Sequence, residues 1–243
     1  MMAKVELFSL GNALVDQEFL VTDEFLVQAK LTKGTMQLCD ADQQAALVQQ
    51  LSRDATHKGQ ASGGSAANTT VAFSALGGKS FYACRVGNDE LASFYLKDLS
   101  ANQVQTSEQS LSTGQTGTCI VLITPDSERT MYTYLGITAE LSAQQVDFEP
   151  LKTAHWLYVE GYLATSPTAQ QAVNQARQIA KENNVQIALS LSDPAMVQYA
   201  KAGLDALIAD GVDILFCNEQ EALMYTQKDN LTDATEQLLT LSQ

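Results

Sequence analysis

The sequence is short of positive charge. Its 243 residues include 14 Lys and Arg against 28 Asp and Glu, so the formal net charge is -14. Because such a chain repels polyanions, its charge disfavours nucleic acid and anionic membrane surfaces as primary partners, and we expect neither. A hydrophobic fraction of 45% is nevertheless enough to build a sizeable core. The composition therefore favours a globular protein whose partner is a small molecule.

Long hydrophobic runs and clustered metal ligands are also missing. No stretch approaches the roughly 18 apolar residues of a membrane-spanning helix, and the N-terminal apolar run is too short for a signal peptide. We therefore expect a cytoplasmic protein. The four cysteines are Cys39, Cys84, Cys119 and Cys217. They lie far apart, without C-x-x-C spacing or a nearby histidine, which predicts buried thiols in a reducing compartment and no zinc site or disulfide.

Alternating strand and helix patterns define the main architecture. Strand-like segments of buried character cover residues 5–10, 80–86, 154–160, 185–191 and 212–217. Helical patterns lie between most of them, and the clearest covers residues 168–183, with its apolar residues on one face. This alternation predicts an α/β fold with a mainly parallel sheet and helices on both faces.

A second group of strand-like segments is separate from this pattern. It covers residues 17–21, 35–39, 116–124 and 129–135, the last two joined by a turn at 125–128. We predict a small β-sheet lid of residues 16–39 and 116–135. It would stand off an α/β core domain of residues 1–15, 40–115 and 136–243. Such a lid could close over a ligand, and its edges could pair two subunits into a homodimer or be guarded in a monomer.

The run GGSAANTTVAFSALGG, from Gly63 to Gly78, is the most informative stretch. Paired glycines let the backbone approach a polar molecule closely, and Ser65 is expected to cap the helix that begins there. The free amides of the first helical turn, together with Asn68, suit a hydroxyl-rich ligand. A plain strand-to-helix connection is the competing interpretation of the glycine pair.

Polar residues also follow the ends of predicted strands, where parallel sheets bind ligands. Asp16 comes after the first strand, and its carboxylate could accept both protons of a vicinal diol, unless it is a solvated turn residue. Glu160 ends the third core strand, and Arg129 is either a lid cation or a turn charge.

Asn218 and Glu221 follow the last core strand with the spacing N-x-x-E. Two interpretations are open for this pair. The glutamate could organise water around a hydrated Mg²⁺, or the two residues could form a helix-capping box. Asp193 and Asp213 are better explained as turn or strand-end residues than as a general base.

Six motifs occur in an order that resembles a known family. They are GNALVD, SGGSAANT, ERTMYTYLG, EGYL, LSLSDP and ILFCNEQEA. Together they resemble the ribokinase-like (PfkB) carbohydrate kinases, most closely the bacterial adenosine-kinase-like members, over about residues 5–225. The resemblance implies a ribokinase-like, Rossmann-like sheet with a lid. It also implies ATP-dependent and Mg²⁺-dependent phosphorylation of the hydroxymethyl group of a sugar or nucleoside.

The resemblance also implies roles for individual residues. Asp16, Gly64 and Asn68 would hold the sugar hydroxyls, and Glu160 would lie near the pocket. Gly63, from the glycine pair, and Arg129, as a lid cation, are the further candidates for the substrate site. Asn218 and Glu221 would match the family's magnesium and phosphate motif, with Glu221 acting on the metal through water.

One family feature has no counterpart in the sequence. The late G-A-G-D loop, which carries the general base, is absent, since no glycine follows Gly211. We therefore name no catalytic base, expect these 243 residues alone to be inactive, and expect a longer polypeptide. A nucleoside- or sugar-binding module without transfer activity is the alternative function. A dinucleotide-dependent dehydrogenase is disfavoured because the glycine run is not G-x-G-x-x-G.

Overall fold

The computed structural model describes residues 4–209 and 211–241. Residues 1–3, 210 and 242–243, which belong to the predicted core domain, lie outside the described residues. The strands of the described chain are β1 (Leu7–Leu10), β2 (Leu14–Leu20), β3 (Met36–Leu38), β4 (Thr56–Gly63), β5 (Ser80–Ala83), β6 (Val104–Gln105), β7 (Gly117–Ile123), β8 (Arg129–Tyr134), β9 (Trp156–Glu160), β10 (Gln186–Ser190) and β11 (Ile214–Phe216). Its α-helices are α1 (Asp23–Gln28), α2 (Ala41–Asp54), α3 (Ser65–Ala75), α4 (Glu90–Ala101), α5 (Pro167–Glu182), α6 (Pro194–Tyr199), α7 (Lys201–Ile208), α8 (Glu219–Thr226) and α9 (Leu231–Leu239).

Six strands form a parallel sheet in the order β11-β10-β9-β1-β5-β6. Strands β5 and β6 lie on one side of β1, whereas β9, β10 and β11 lie on the other. The direction of winding therefore changes between β1 and β9, and ligands in such sheets bind at the carboxyl ends of the strands at this switch point. The sheet ends there at Leu10 and Glu160.

Helices cover both faces of this sheet. Phe8 and Leu10 of β1 contribute to a large core cluster with α5 and α7, whereas Leu7 points to the other face, which packs against α3 and α4. This alternation follows from the two-residue period of a strand. All five predicted core strands form, each slightly shorter than predicted, and the predicted helix over 168–183 corresponds to α5. The α/β prediction is confirmed.

The second sheet has five strands in the order β3-β8-β7-β2-β4. Helices α1 and α2 pack on its outer face through a separate hydrophobic cluster. A buried glutamine, Gln44 of α2, fixes this packing, because its amide nitrogen donates to Thr118 O at 3.1 Å and Tyr132 O at 3.2 Å. The inner face of the sheet remains open toward the carboxyl ends of β1 and β9.

Two strands lie where the sequence predicts none. Strand β4, within the stretch 40–115 assigned to the core domain, belongs to the second sheet and pairs antiparallel with β2. Its sequence, THKGQASG, is mostly exposed and carries a single β-branched residue, so it has no hydrophobic alternation to detect. Strand β6 also lies within the stretch 40–115, and it forms an edge of the six-stranded sheet.

The prediction of buried cysteines is correct for half of them. Cys84 and Cys119 are buried, whereas Cys39 is half-buried and Cys217 is exposed, and all four are free thiols. Cys217 directly follows the edge strand β11. Within residues 4–209 and 211–241, none of the helices combines the length and apolar character needed to cross a membrane.

Candidate functional site

A cavity of about 200 Å³ lies between the switch point of the six-stranded sheet and the inner face of the second sheet. Its lining residues are Asn12, Leu14, Asp16, Met36, Leu38, Gly64, Ser65, Asn68, Cys119, Val121, Arg129, Met131, Thr133, Leu135, Glu160, Tyr162, Thr165 and Met196. Five of the six predicted substrate residues are in this set, and the sixth, Gly63, directly precedes Gly64. The fold therefore brings them together from four separate parts of the chain.

Asp16 lies within β2, opposite Ala61 of β4 and Cys119 of β7, so it is not a solvated turn residue. The pKa of this carboxyl is raised from 3.8 to about 6, mainly by burial and also by the charge of Glu18, while Arg129 opposes the shift. When it is ionised, the largely buried Asp16 carboxylate offers two acceptor oxygens to a ligand, and little water competes for them.

Gly63 makes room for this carboxylate. A Cβ atom at Gly63 would lie 2.2 Å from Oδ1 of Asp16, closer than real Cβ contacts. Any side chain at position 63 would therefore displace the Asp16 carboxylate. The position of the Asp16 carboxylate therefore requires a glycine at position 63, in addition to any need for a tight strand-to-helix connection.

The second glycine starts helix α3 in a conformation that other residues rarely adopt. Gly64 has φ +102°, and a Cβ there would lie 2.3 Å from the carbonyl oxygen of Asn12. Gly64 is also the N-cap, without a side-chain cap, so the expected capping by Ser65 is wrong. Ser65 is already helical, and its hydroxyl donates to Glu160 instead. Asn68, in the same first turn, is exposed and lines the cavity.

Glu160 is completely surrounded by donors. Its Oε1 accepts from the backbone and side-chain nitrogens of Asn12 at 2.7 and 2.8 Å. Its Oε2 accepts from Ser65 Oγ and the Ala66 amide, both at 2.9 Å. Burial raises the pKa of Glu160, while these hydrogen bonds lower it. The carboxylate thus joins the end of β1 to the start of α3 on the cavity floor, with both oxygens already engaged.

Two polar residues of the site were not singled out from the sequence. Asn12 uses its whole amide group, because Nδ2 donates to Glu160 and Oδ1 accepts from Thr138 Oγ1 at 3.4 Å. The Thr138 hydroxyl oxygen also accepts from the Ala13 amide at 3.1 Å. Their roles depend on contacts across more than 120 residues of sequence, which local spacing does not contain.

The opposite wall of the cavity is apolar. It is formed mainly by Met36, Leu38, Val121, Met131 and Leu135. Most of these residues share the inner face of the second sheet with Asp16, as the strand register requires. Cys39, directly after β3, and Tyr134 of β8 are not part of the cavity lining.

Asn218 and Glu221 lie apart from this cavity, after the edge strand β11. They form the capping box that was one of the two interpretations: Asn218 Oδ1 accepts from the Glu221 amide at 2.8 Å, and Glu221 accepts from both nitrogens of Asn218. Glu221 is buried, and its pKa is raised by that burial. Its two carboxylate oxygens are therefore occupied by protein donors.

Comparison with known proteins gives consistent similarities. The model of the pfkB family of carbohydrate kinases matches residues 35–243. Guanosine-inosine kinase of Escherichia coli (strain K12) is 27% identical over 237 residues, 95% of this chain and 55% of that protein. The chain thus spans about half the length of this curated relative.

Two solved structures have a similar fold over almost the whole chain. A probable sugar kinase from Rhizobium etli CFN 42 has a TM-score of 0.91 at 33% identity, covering 99% of this chain and 72% of that one. Adenosine kinase from Sinorhizobium meliloti has a TM-score of 0.91 at 34% identity, covering 99% and 73%.

Proposed function

Because the chain belongs to the pfkB family of carbohydrate kinases, we propose that it binds a nucleoside as the acceptor of phosphoryl transfer to its hydroxymethyl group. The main observation that supports this proposal is that the cavity has two chemically different walls. One wall has Asp16, Asn68 and the backbone at Gly64, and the other has methionine and aliphatic side chains. The second sheet acts in this proposal as the lid over the bound acceptor.

The polar wall suits a ribose. An ionised Asp16 can accept hydrogen bonds from two neighbouring hydroxyl groups, and such charge-assisted bonds are stronger than neutral ones. Asn68 adds a donor and an acceptor beside it. Arg129, at the rim, keeps Asp16 closer to its ionised form by lowering the pKa that burial raises.

The apolar wall favours contact with a nucleobase over contact with water. A free sugar would leave Met36, Val121 and Met131 facing a hydrated polar ring, whereas a planar base would bury them. Thioether side chains also adapt to aromatic rings and contact them favourably. The names of two of the three similar proteins, a guanosine-inosine kinase and an adenosine kinase, agree with a nucleoside, whereas the third is a probable sugar kinase.

The capping box leaves a role of Glu221 on Mg²⁺ through water open. Both oxygens of Glu221 are acceptors within the capping box. Each carboxylate oxygen has two acceptor sites, and the capping box uses one of them. The groove beside Asn218 is lined largely by Leu215, Ala222 and other aliphatic side chains. In the part of the chain that the structure describes, no group of three or more His, Cys, Asp and Glu is placed to hold a metal ion. ATP and Mg²⁺ are proposed on family membership.

Calorimetric titration with adenosine and with D-ribose tests the nucleoside assignment. We expect adenosine to bind at least about tenfold more tightly, because one buried thioether side chain contributes roughly 1.5–3 kcal/mol. Met131→Ser should weaken adenosine binding about tenfold and leave ribose binding unchanged. Equal affinity for the two ligands would contradict the assignment. Adenosine binding without ADP formation from Mg²⁺-ATP by the full-length gene product would instead support the non-catalytic alternative.

The pKa of Asp16 makes acceptor binding dependent on pH. Only the ionised carboxylate accepts from two hydroxyl groups, and its pKa is about 6. We therefore expect adenosine affinity to be constant above about pH 7 and to fall up to about tenfold per unit below pH 6. Titrations at several pH values check this, and Asp16→Asn should remove the dependence. A flat profile for the unmodified protein would show that Asp16 does not contact the acceptor.

A further inference from the structure

Two buried tyrosines of the six-stranded-sheet domain donate hydrogen bonds to backbone carbonyls beside the cavity. Tyr82 in β5 donates to the carbonyl of Asn12 at 2.8 Å. Tyr95 in α4 donates to the carbonyl of Gly63 at 2.9 Å. Both tyrosines are 0% exposed, so neither hydroxyl has water as an alternative partner.

The two carbonyls belong to the junction between the two sheets. Asn12 lies in the connection from β1 to β2, and Gly63 ends β4 just before α3. These connections touch each other, because Leu14 pairs with Gly63 and the Asn12 carbonyl lies against Gly64. The tyrosines therefore hold one compact junction from the side of the six-stranded sheet.

The side chains that face the ligand lie on the segments that begin at this junction. Asp16 is two residues beyond Leu14 on β2, and Asn68 is in the first turn of α3. A shift of the junction would consequently move the carboxylate relative to the helix. Binding groups that are fixed before the ligand arrives bind more tightly than groups that must first be ordered.

We propose that Tyr82 and Tyr95 are positioning residues whose hydroxyl groups fix the junction and so hold Asp16 and the start of α3 in the arrangement that binds the acceptor. The inference rests on the proposed function for its ligand. Phenylalanine would fill the same volume in the core, so the hydroxyl groups serve the two carbonyls and the contact between the two tyrosines. Burial raises the pKa of both phenols well above its usual value, so they remain neutral donors at physiological pH.

Tyr82→Phe and Tyr95→Phe test the proposal by removing only the hydroxyl groups. The matched control is Tyr225→Phe in α8, because Tyr225 is also buried and donates to Asp205 at 2.7 Å, away from the cavity. For each variant we would measure adenosine affinity by calorimetry, unfolding in urea, and amide hydrogen exchange over residues 12–16 and 62–68.

We expect both junction variants to weaken adenosine binding about 3- to 10-fold, the effect of one lost hydrogen bond, and to exchange faster over these two segments. Tyr225→Phe should lose similar stability without either effect. Unchanged affinity and exchange in both junction variants, or the same changes in the control, would overturn the proposal. If the unmodified protein bound no adenosine, the proposed function would fail, and the exchange rates would still decide the role of the tyrosines.

Discussion

Asp16→Asn is expected to weaken adenosine binding by about 30- to 100-fold. Two charge-assisted hydrogen bonds would become neutral ones, a difference of about 1 kcal/mol each, and the Asn nitrogen would face a hydroxyl group as a competing donor. The variant keeps the shape of the side chain beside Gly63, so the loss is chemical and not steric. Calorimetric titration with adenosine at about pH 7.5, well above the pKa of about 6, measures it.

The same substitution should stabilise the free protein. Because the folded pKa of Asp16 is raised from 3.8 to about 6, its ionisation costs stability as pH rises through this interval. Asp16→Asn should therefore be more stable than the unmodified protein above about pH 6, and the difference should shrink toward pH 4. Asp126→Asn, in the exposed turn between β7 and β8, is the control and should leave affinity unchanged. Weak binding together with lost stability would indicate misfolding rather than a lost contact.

The fold could be predicted from the sequence wherever strands carry their own hydrophobic pattern. Strands β1, β9 and β10 are buried on both faces, and their apolar runs identify them directly. Strand β4 could not be found in this way, since its exposed polar residues are specified by backbone pairing with β2. The closeness of Gly63 to Asp16 depends on this pairing and was therefore beyond prediction, although both residues were identified as candidates.

The site shows the same division between local and long-range information. The spacing of Asn218 and Glu221 was compatible with a metal motif and with a capping box, because both need an acidic residue three positions after an amide. The donors of Glu221 show that the capping box forms in this chain, and the metal role stays a prediction. Glu160 was expected near the ligand and does line the cavity, but its four donors come from segments about 95 and 148 residues away.

Gly64→Ala is expected to cause the largest loss of stability among the variants considered, about 3 kcal/mol or more. Two costs combine at this position. An alanine at φ +102° is strained, and its Cβ would lie 2.3 Å from the carbonyl oxygen of Asn12. That carbonyl cannot move away freely, because Tyr82 holds it at 2.8 Å. Unfolding in urea, followed by circular dichroism, gives the difference in free energy.

Gly77→Ala separates the two costs. Gly77, just after α3, has a similar φ of +96°, but a Cβ there would meet nothing within 4 Å. The control should therefore lose only the backbone strain, about 1–2 kcal/mol, and should bind adenosine normally. The additional loss of unfolding free energy in Gly64→Ala measures the steric conflict with Asn12. Adenosine binding should also be weaker in this variant, because relief of the conflict moves the connection that leads to Asp16. If the two variants lost equal stability and both bound adenosine normally, the contact between Gly64 and Asn12 would be too loose to set the position of the carboxylate.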